Sequence, residues 1–146
     1  MRNVFRSMTA AALLLPAIAQ AQEEPQLTLE LNKLEPVQAT AGGGAGCRAY
    51  LVATDPENGP KVDLLRLDLV LFGIDGVIAR RIALDIGPVQ PGRTQVRPFE
   101  LRDQACDAIG QILINDALLC KIGGADRNDC LDRIRPATRV PTKLSK

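Results

Sequence analysis

The strongest hydrophobic pattern of the chain lies at Leu64–Ile86, where two alternating apolar runs flank the segment Gly73–Gly76. Leucines occupy every second position of the first run: Leu65, Leu67, Leu69 and Leu71. Successive side chains of a strand point to opposite faces, so a period of two is typical of a half-buried strand. Gly-Ile-Asp-Gly supplies residues that tolerate turn dihedrals. The pattern therefore predicts a β-hairpin.

The apolar faces of this hairpin also predict a register. Pairing Phe72 with Val77 across a four-residue turn brings the apolar positions of the two strands together. The predicted neighbours are Leu71 with Ile78, Leu67 with Ile82, and Leu65 with Leu84. On the outer face, Asp68 then lies opposite Arg81, a favourable cross-strand pair.

Arg80 does not fit this pattern, because it falls on the leucine face, opposite Leu69. Two structural interpretations are a β-bulge at Arg80–Arg81, or a position near the sheet rim where the stem packs and the guanidinium reaches water. A third interpretation is a partly buried arginine that contacts a carboxylate, a ligand or a partner. Arg80 is therefore kept as a candidate contact residue.

The other segments complete an all-β pattern. The predicted elements are a strand from Leu27 that ends near Pro36, strands at Cys47–Thr54, Arg93–Leu101 and Asp107–Asn115, a helical turn at Asp116–Ile122, and a last strand or ordered segment at Cys130–Val140. Pro98 cannot donate to a ladder, so its strand should lie at an edge or a bulge. About seven short strands with Gly/Pro turns predict an immunoglobulin-like antiparallel β-sandwich with one short helical turn. We place this domain at residues 22–140, followed by a basic tail at 141–146.

The N-terminal residues 1–21 resemble a secretory signal peptide. Arg2 and Arg6 precede a short apolar core, Met8–Ile18, and Ala19-Gln20-Ala21 is a suitable cleavage site. Residues 1–21 contain no twin-arginine pair, so we predict export to the periplasm by the general secretory route. The alternative, a retained membrane anchor, requires a longer apolar run than this one.

All four cysteines follow the predicted signal peptide. An even number of cysteines in an exported chain predicts two disulfides, which can connect in three ways. We favour Cys47–Cys106 as a long-range bond and Cys120–Cys130 as a local one. A zinc site is the alternative, but it lacks Cys-x-x-Cys spacing and the chain has no histidine.

The residue inventory limits the available catalytic chemistry. Without histidine there is no Ser-His-Asp or Cys-His arrangement, and serine occurs only at Ser7 and Ser145. Carboxylate pairs can cleave glycosidic bonds, and the candidates are Asp103 with Asp107 and Asp126 with Asp129. The Ala41–Gly46 segment lacks the Gly-Lys-Ser/Thr ending of a phosphate-binding loop. We predict no catalytic residue, no bound metal and no cofactor.

Charge is nearly balanced, with 18 basic and 17 acidic residues. A nucleic-acid-binding protein usually carries a basic stripe, so this partner class is disfavoured, as is a membrane span after signal cleavage. The C-terminal segment is the exception, since its acidic residue Asp132 stands among several basic ones. The candidate partner contacts there are Arg133, Arg135 and Arg139.

Three segments carry a resemblance: L-x-L-x-L-V-L-F-x-x-D-G-V-I-A-R-R, G-P-V-Q-P-G-x-T and A-C-D-x-I-G-x-I-L-I-N-D. Together they resemble a family of small exported bacterial proteins described by their signal sequence, and more distantly immunoglobulin-like envelope modules of the FxLYD and water-stress type. The resemblance implies a fold and an envelope location but brings no catalytic residues. We predict a non-enzymatic periplasmic module that binds or stabilises an envelope protein. A carboxylate-dependent cell-wall glycan hydrolase and a small-ligand carrier that uses Arg80 are the alternatives.

Overall fold

A computed structural model describes residues 25–39 and 43–146. They form nine strands and one 3₁₀ turn at Cys106–Ala108. The strands are β1 Leu27–Val37, β2 Gly46–Thr54, β3 Val62–Gly73, β4 Ile78–Asp85, β5 Thr94–Leu101, β6 Ile109–Ile122, β7 Ala125–Asp126, β8 Ile134–Thr138 and β9 Lys143–Ser145. The predicted signal peptide, residues 1–21, lies outside the described residues, as do residues 40–42 of the glycine-rich segment.

The strands form two sheets that enclose one apolar core. The first sheet has the order β5-β2-β1-β8, and the second has β4-β3-β6-β7 with β9 also pairing β6. Every second residue is buried in Leu27–Leu31, Cys47–Ala53 and Leu65–Leu71, because alternation along each strand turns its apolar face inward. The predicted all-β sandwich is confirmed. Its pairing is antiparallel except for β1–β8 and β6–β9, which are parallel.

The predicted hairpin forms, but its register was wrong by one residue at the tip and by two residues further along the strands. Gly73 N donates to Val77 O at 2.8 Å, so the loop contains three residues and Phe72 pairs with Ile78. The next pair is Leu71 with Arg80, which leaves Ala79 as a bulge one residue earlier than predicted. Beyond it, Leu69 faces Ile82 and Leu67 faces Leu84. Beyond the bulge, the shift of two keeps the side chains of β4 on their predicted faces, and the leucine face of β3 is buried as expected. Before the bulge, Ile78 pairs with Phe72 instead of Leu71, so it lies off the leucine face.

The predicted helical turn at Asp116–Ile122 was wrong, since these residues continue β6. β6 pairs with β3 along most of its length, and the ladder has four register shifts. These irregularities interrupt the period of two, so the sequence does not read as one long strand. The helical turn of the structure lies instead at Cys106–Ala108, immediately before β6.

Both favoured disulfides are present, Cys47–Cys106 and Cys120–Cys130. The first joins β2 to the 3₁₀ turn, and the second joins β6 to the segment before β8. Pro98 lies on β5, an edge strand as predicted, because an edge tolerates a residue that cannot donate. The segment 141–146 is built into the fold, since Lys143–Ser145 form β9 and Leu144 is buried.

Candidate functional site

The tip of the β3–β4 hairpin is an ordered apolar projection. Gly76 has a φ of 78°, a left-handed conformation that suits glycine, and its N–H donates to Gly73 O at 3.0 Å. Asp75 Oδ1 accepts a hydrogen bond from Val77 N at 3.0 Å. These bonds hold the loop while Ile74, Val77 and Ile78 are 78%, 63% and 62% exposed. We call these three residues the tip patch.

Two shallow hollows flank the tip patch. One, of about 500 Å³, lies between Ile74 and the segment after β8; its apolar lining includes Leu34, Ile109, Val140 and Pro141. The other, of about 310 Å³, lies where Ile78 and Ala79 approach Gln104 and Ala108. Ile74 lines both hollows. The tip patch is thus the raised centre of a larger surface with concave flanks.

Close backbone packing supports the base of the tip. A Cβ on Gly110 would lie 2.8 Å from Gly73 O and 3.1 Å from Ile74 Cα, so a glycine allows β6 to approach the loop. On the other side of β6, the buried Thr142 Oγ1 donates to Ile109 O at 2.9 Å. These contacts fix the position of the tip relative to the hollow beside it.

The outer face of the hairpin carries a buried carboxylate. Asp68 is 3% exposed, and its two oxygens accept from Arg81 Nε at 2.6 Å and Arg81 Nη2 at 2.7 Å. Asn115 Nδ2 donates to the same carboxylate at 2.7 Å. The hydrogen bonds from Arg81, against the opposing effect of burial, hold the pKa of Asp68 below its ordinary value of 3.8. The predicted Asp68–Arg81 pair therefore forms, but diagonally, since Asp68 lies opposite Ala83.

Replacing Arg81 by glutamine is expected to reduce the part of the pH dependence of the unfolding free energy that arises from ionisation of Asp68. Because the folded-state pKa is lowered, the stabilisation by Arg81 is present above the ordinary carboxyl pKa and is lost as the pH falls through the lowered one. The difference in unfolding free energy between wild type and Arg81→Gln should be largest near neutral pH and shrink as the pH falls below the ordinary carboxyl pKa of 3.8. Urea titrations across this range measure it.

Arg66→Gln is the matched control for this experiment. Arg66 Nε lies 3.7 Å from Asp85 Oδ1, and both side chains are exposed, so solvent screens that pair. A pH-independent difference for Arg81→Gln, or an equal pH dependence for Arg66→Gln, contradicts the role assigned to Asp68.

Arg80 is half-buried on the leucine face, opposite Leu71. Within residues 25–39 and 43–146 its side chain makes no hydrogen bond or ion pair. It also lines neither of the hollows beside the tip. The bulge interpretation of this position gains support, because Ala79 next to it is the extra residue of the ladder.

The three C-terminal arginines contact other parts of the same chain. Arg133 Nε lies 3.0 Å from Asp129 Oδ2, and Arg139 Nε lies 2.8 Å from Glu30 Oε1. Arg135 Nε donates to Gln26 Oε1 at 3.3 Å. These contacts connect the region of β8 to β1 and to the preceding loop. They do not gather the three guanidinium groups into one site.

The candidate carboxylate pairs are engaged in local structure. Asp103 has a φ of 57° and accepts from Gly44 N at 2.8 Å. Hydrogen bonds from Arg127 and then Arg133 hold the pKa of Asp129 far below its ordinary value, which opposes a role as a general acid. Asp126 lies 3.9 Å from Lys121 and is largely exposed. Among the described residues, no cluster of three or more potential ligands is placed to hold a metal ion.

Sequence reasoning missed the buried carboxylate of Asp55. This residue precedes Pro56 in the turn before β3 and is 4% exposed, and burial raises the pKa of its carboxyl group. Oδ2 finds no hydrogen-bond donor in the described part of the chain. The Asp-Pro start of a turn is the only sequence signal here, and it predicts local geometry but not burial.

Comparisons with known proteins bear on the fold. No protein-family model and no curated protein sequence matches this chain. A solved structure described as the structural characterization of IrmA from Escherichia coli is similar, with a TM-score of 0.60 at 13% identity over 77% of this chain and 92% of that chain. At that identity the likeness shows a shared fold alone. The resemblance to small exported bacterial proteins and FxLYD-type modules stays a prediction, and the chain is an all-β sandwich similar in fold to IrmA.

Proposed function

We propose that this chain is a non-enzymatic, exported β-sandwich module that binds a protein of the cell envelope through the tip patch. The observation that carries the proposal is the exposure of Ile74, Val77 and Ile78 at one ordered hairpin tip. Grouped exposed apolar side chains with polar surroundings are typical of protein-interaction sites. Loops at the end of a rigid sandwich commonly carry binding residues.

An extracytoplasmic location is supported by the disulfides. All four cysteines are paired in two bonds, and such bonds persist in oxidising compartments such as the periplasm. The signal-like residues 1–21 agree with this assignment. No helix among the described residues is long and apolar enough to cross a bilayer.

The chemistry of the tip favours a protein surface over a small molecule. The hollows are shallow and open on both sides of Ile74, whereas small-ligand sites enclose most of the ligand. A partner that presents an apolar pocket can take up Ile74 and contact both hollows at its rim. The glycan hydrolase is disfavoured because one carboxylate of each candidate pair, Asp103 and Asp129, accepts local hydrogen bonds. The carrier is disfavoured because Arg80 lines neither hollow.

Photo-crosslinking in the envelope tests this proposal. A photoreactive amino acid at position 74 is expected to capture a distinct envelope protein, identified by mass spectrometry of the crosslinked band. Replacing Ile74 and Val77 by serine should weaken binding of that protein at least about thirtyfold and lower its recovery in affinity purification accordingly, since each buried apolar anchor contributes on the order of 1–2 kcal/mol.

Leu118 and Leu119 provide the matched control. They are exposed leucines on β6, at 46% and 47%, and lie outside the tip patch. Replacing both by serine should leave recovery unchanged. Equal recovery with the tip variant and wild type, or equal crosslinking from position 118, counts against the tip patch as the binding surface.

A further inference from the structure

The outer edge of β4 has backbone groups without a strand partner among the described residues, because β4 is the end strand of its sheet. Ile86 N donates to Leu65 O at 2.8 Å. Hydrogen-bonded and non-hydrogen-bonded positions alternate along an antiparallel pair, so the backbone groups of Ile82 and Leu84 also point towards β3. Those of Arg81, Ala83 and Asp85 point away from it. This edge can accept another antiparallel strand.

We propose that a second copy of this chain pairs with this edge, β4 against β4, about a two-fold axis at Ala83. In this register Arg81 of each copy lies opposite Asp85 of the other, and Ala83 lies opposite Ala83. The outward-pointing positions are then the hydrogen-bonded pairs, as the alternation requires. The strand is therefore complementary to itself in both charge and backbone geometry.

Charge distinguishes this register from its neighbours. An axis at Arg81 would place two arginines opposite each other, and an axis at Asp85 would do the same with two aspartates. Like charges directly opposite are destabilising, whereas opposite charges contribute favourably. An axis at Ile82 would leave Arg81 opposite Ala83. Pairing about Ala83 places Arg81 of each copy opposite Asp85 of the other, so each dimer contains two pairs of opposite charge.

The charges needed for this pairing are accessible. The side chains of Arg81 and Asp85 are 65% and 63% exposed, although each already has a partner in its own chain, Asp68 and Arg66 respectively. Ala79, Ala83 and Asp85 on β4 are exposed, and the small alanine side chains leave room for an approaching strand. In the dimer, Asp85 of the second copy lies on the side of Arg81 that faces away from Asp68, so negative and positive side chains alternate across the joined strands.

The opposite face and the ends of β4 are compatible with this arrangement. Ile82 and Leu84 are half-buried against the core, and in this register Ile82 of one copy lies opposite Leu84 of the other. At one end of β4, Gln104 and Ala108 stand beside Ile78 and Ala79. At the other end, Arg97 Nε donates to Ile86 O at 2.8 Å. The paired segment, residues 81–85, lies between these two flanks.

The pairing places the two hairpin tips at opposite ends of the joined sheet. Antiparallel strands centred on Ala83 run in opposite directions, so residues 74–78 of each copy extend beyond the paired segment. This inference concerns residues 81–85 and does not depend on the tip patch as a binding surface.

Site-specific cysteine crosslinking tests the register. Directly opposite residues of an antiparallel pair have Cα atoms about 5.5 Å apart, within the range that a disulfide spans. Ala83→Cys is therefore expected to give a covalent dimer as its main product under mild oxidation. Ala79→Cys is the matched control, an exposed alanine on the same strand. Its copies would lie about 27 Å apart along the strands and should not crosslink.

A charge reversal measures the association without an added thiol. Asp85→Lys places a cation opposite Arg81 twice in each dimer, so its dimer dissociation constant in sedimentation equilibrium should rise about tenfold over wild type. Circular dichroism reports whether the variant stays folded. Monomeric wild type at every concentration tested, or crosslinking of Ala79→Cys as efficient as that of Ala83→Cys, overturns the proposal.

Discussion

Replacing Cys47 and Cys106 together by alanine is expected to lower the free energy of unfolding by about 4 kcal/mol. The bond joins residues 59 positions apart, and the loss of chain entropy in the unfolded state grows with the length of the closed loop. It also ties β2 to the turn from which β6 starts, next to the hollow beside Ile74. Guanidinium titration followed by circular dichroism measures the loss.

The Cys120→Ala, Cys130→Ala double variant is the internal control. Its bond closes a separation of 10 residues, for which the same reasoning predicts about 3 kcal/mol. The long-range bond should therefore contribute more to the unfolding free energy than the local one. An equal or larger loss for the Cys120–Cys130 variant contradicts this ranking.

Leu69→Ala is expected to lower the free energy of unfolding by about 3 kcal/mol, within the 2–5 kcal/mol typical of buried leucines. Leu69 is fully buried on β3, which lies between β4 and β6. Truncation there removes apolar contacts from both sides and leaves a cavity that strands held in two ladders cannot readily close. Thermal and urea unfolding measure the change.

Leu64→Ala tests the same chemistry on the same strand at a different depth. Leu64 is 38% exposed, so its truncation should cost well under about 1 kcal/mol. Similar losses for Leu64→Ala and Leu69→Ala would show that burial on β3 does not control stability as the sandwich predicts.

The candidate site was only partly predictable from the sequence. Gly73–Gly76 identified a turn, because its residues tolerate turn dihedrals without any tertiary context. Ile78 was predicted to share the leucine face, yet it is 62% exposed. The bulge at Ala79 places Ile78 opposite Phe72 and off the leucine face, and the pattern of apolar residues along the chain does not fix the position of that bulge.

The contacts of the charged candidate residues were also only partly predictable from the sequence. Asp68 and Arg81 were predicted as a pair because both lie on the outer face of one hairpin, and a two-residue shift keeps them within reach. Arg139 was predicted as a partner contact, but Glu30 on β1 binds it at 2.8 Å. That contact arises because β8 pairs parallel to β1, a long-range arrangement that charge counting along the chain does not reveal.

The sequence by itself determined which residues of β1, β2 and β3 face the core and that four cysteines form two bonds. A period of two along a strand assigns faces locally, and this assignment survives any even shift in register. Only the tertiary structure decided the register of the β3–β4 hairpin and the continuation of β6 through residues 116–122. It also decided the parallel pairing of β8 with β1 and of β9 with β6. These features depend on bulges and on contacts between distant segments, whose energies balance only when both sheets are assembled.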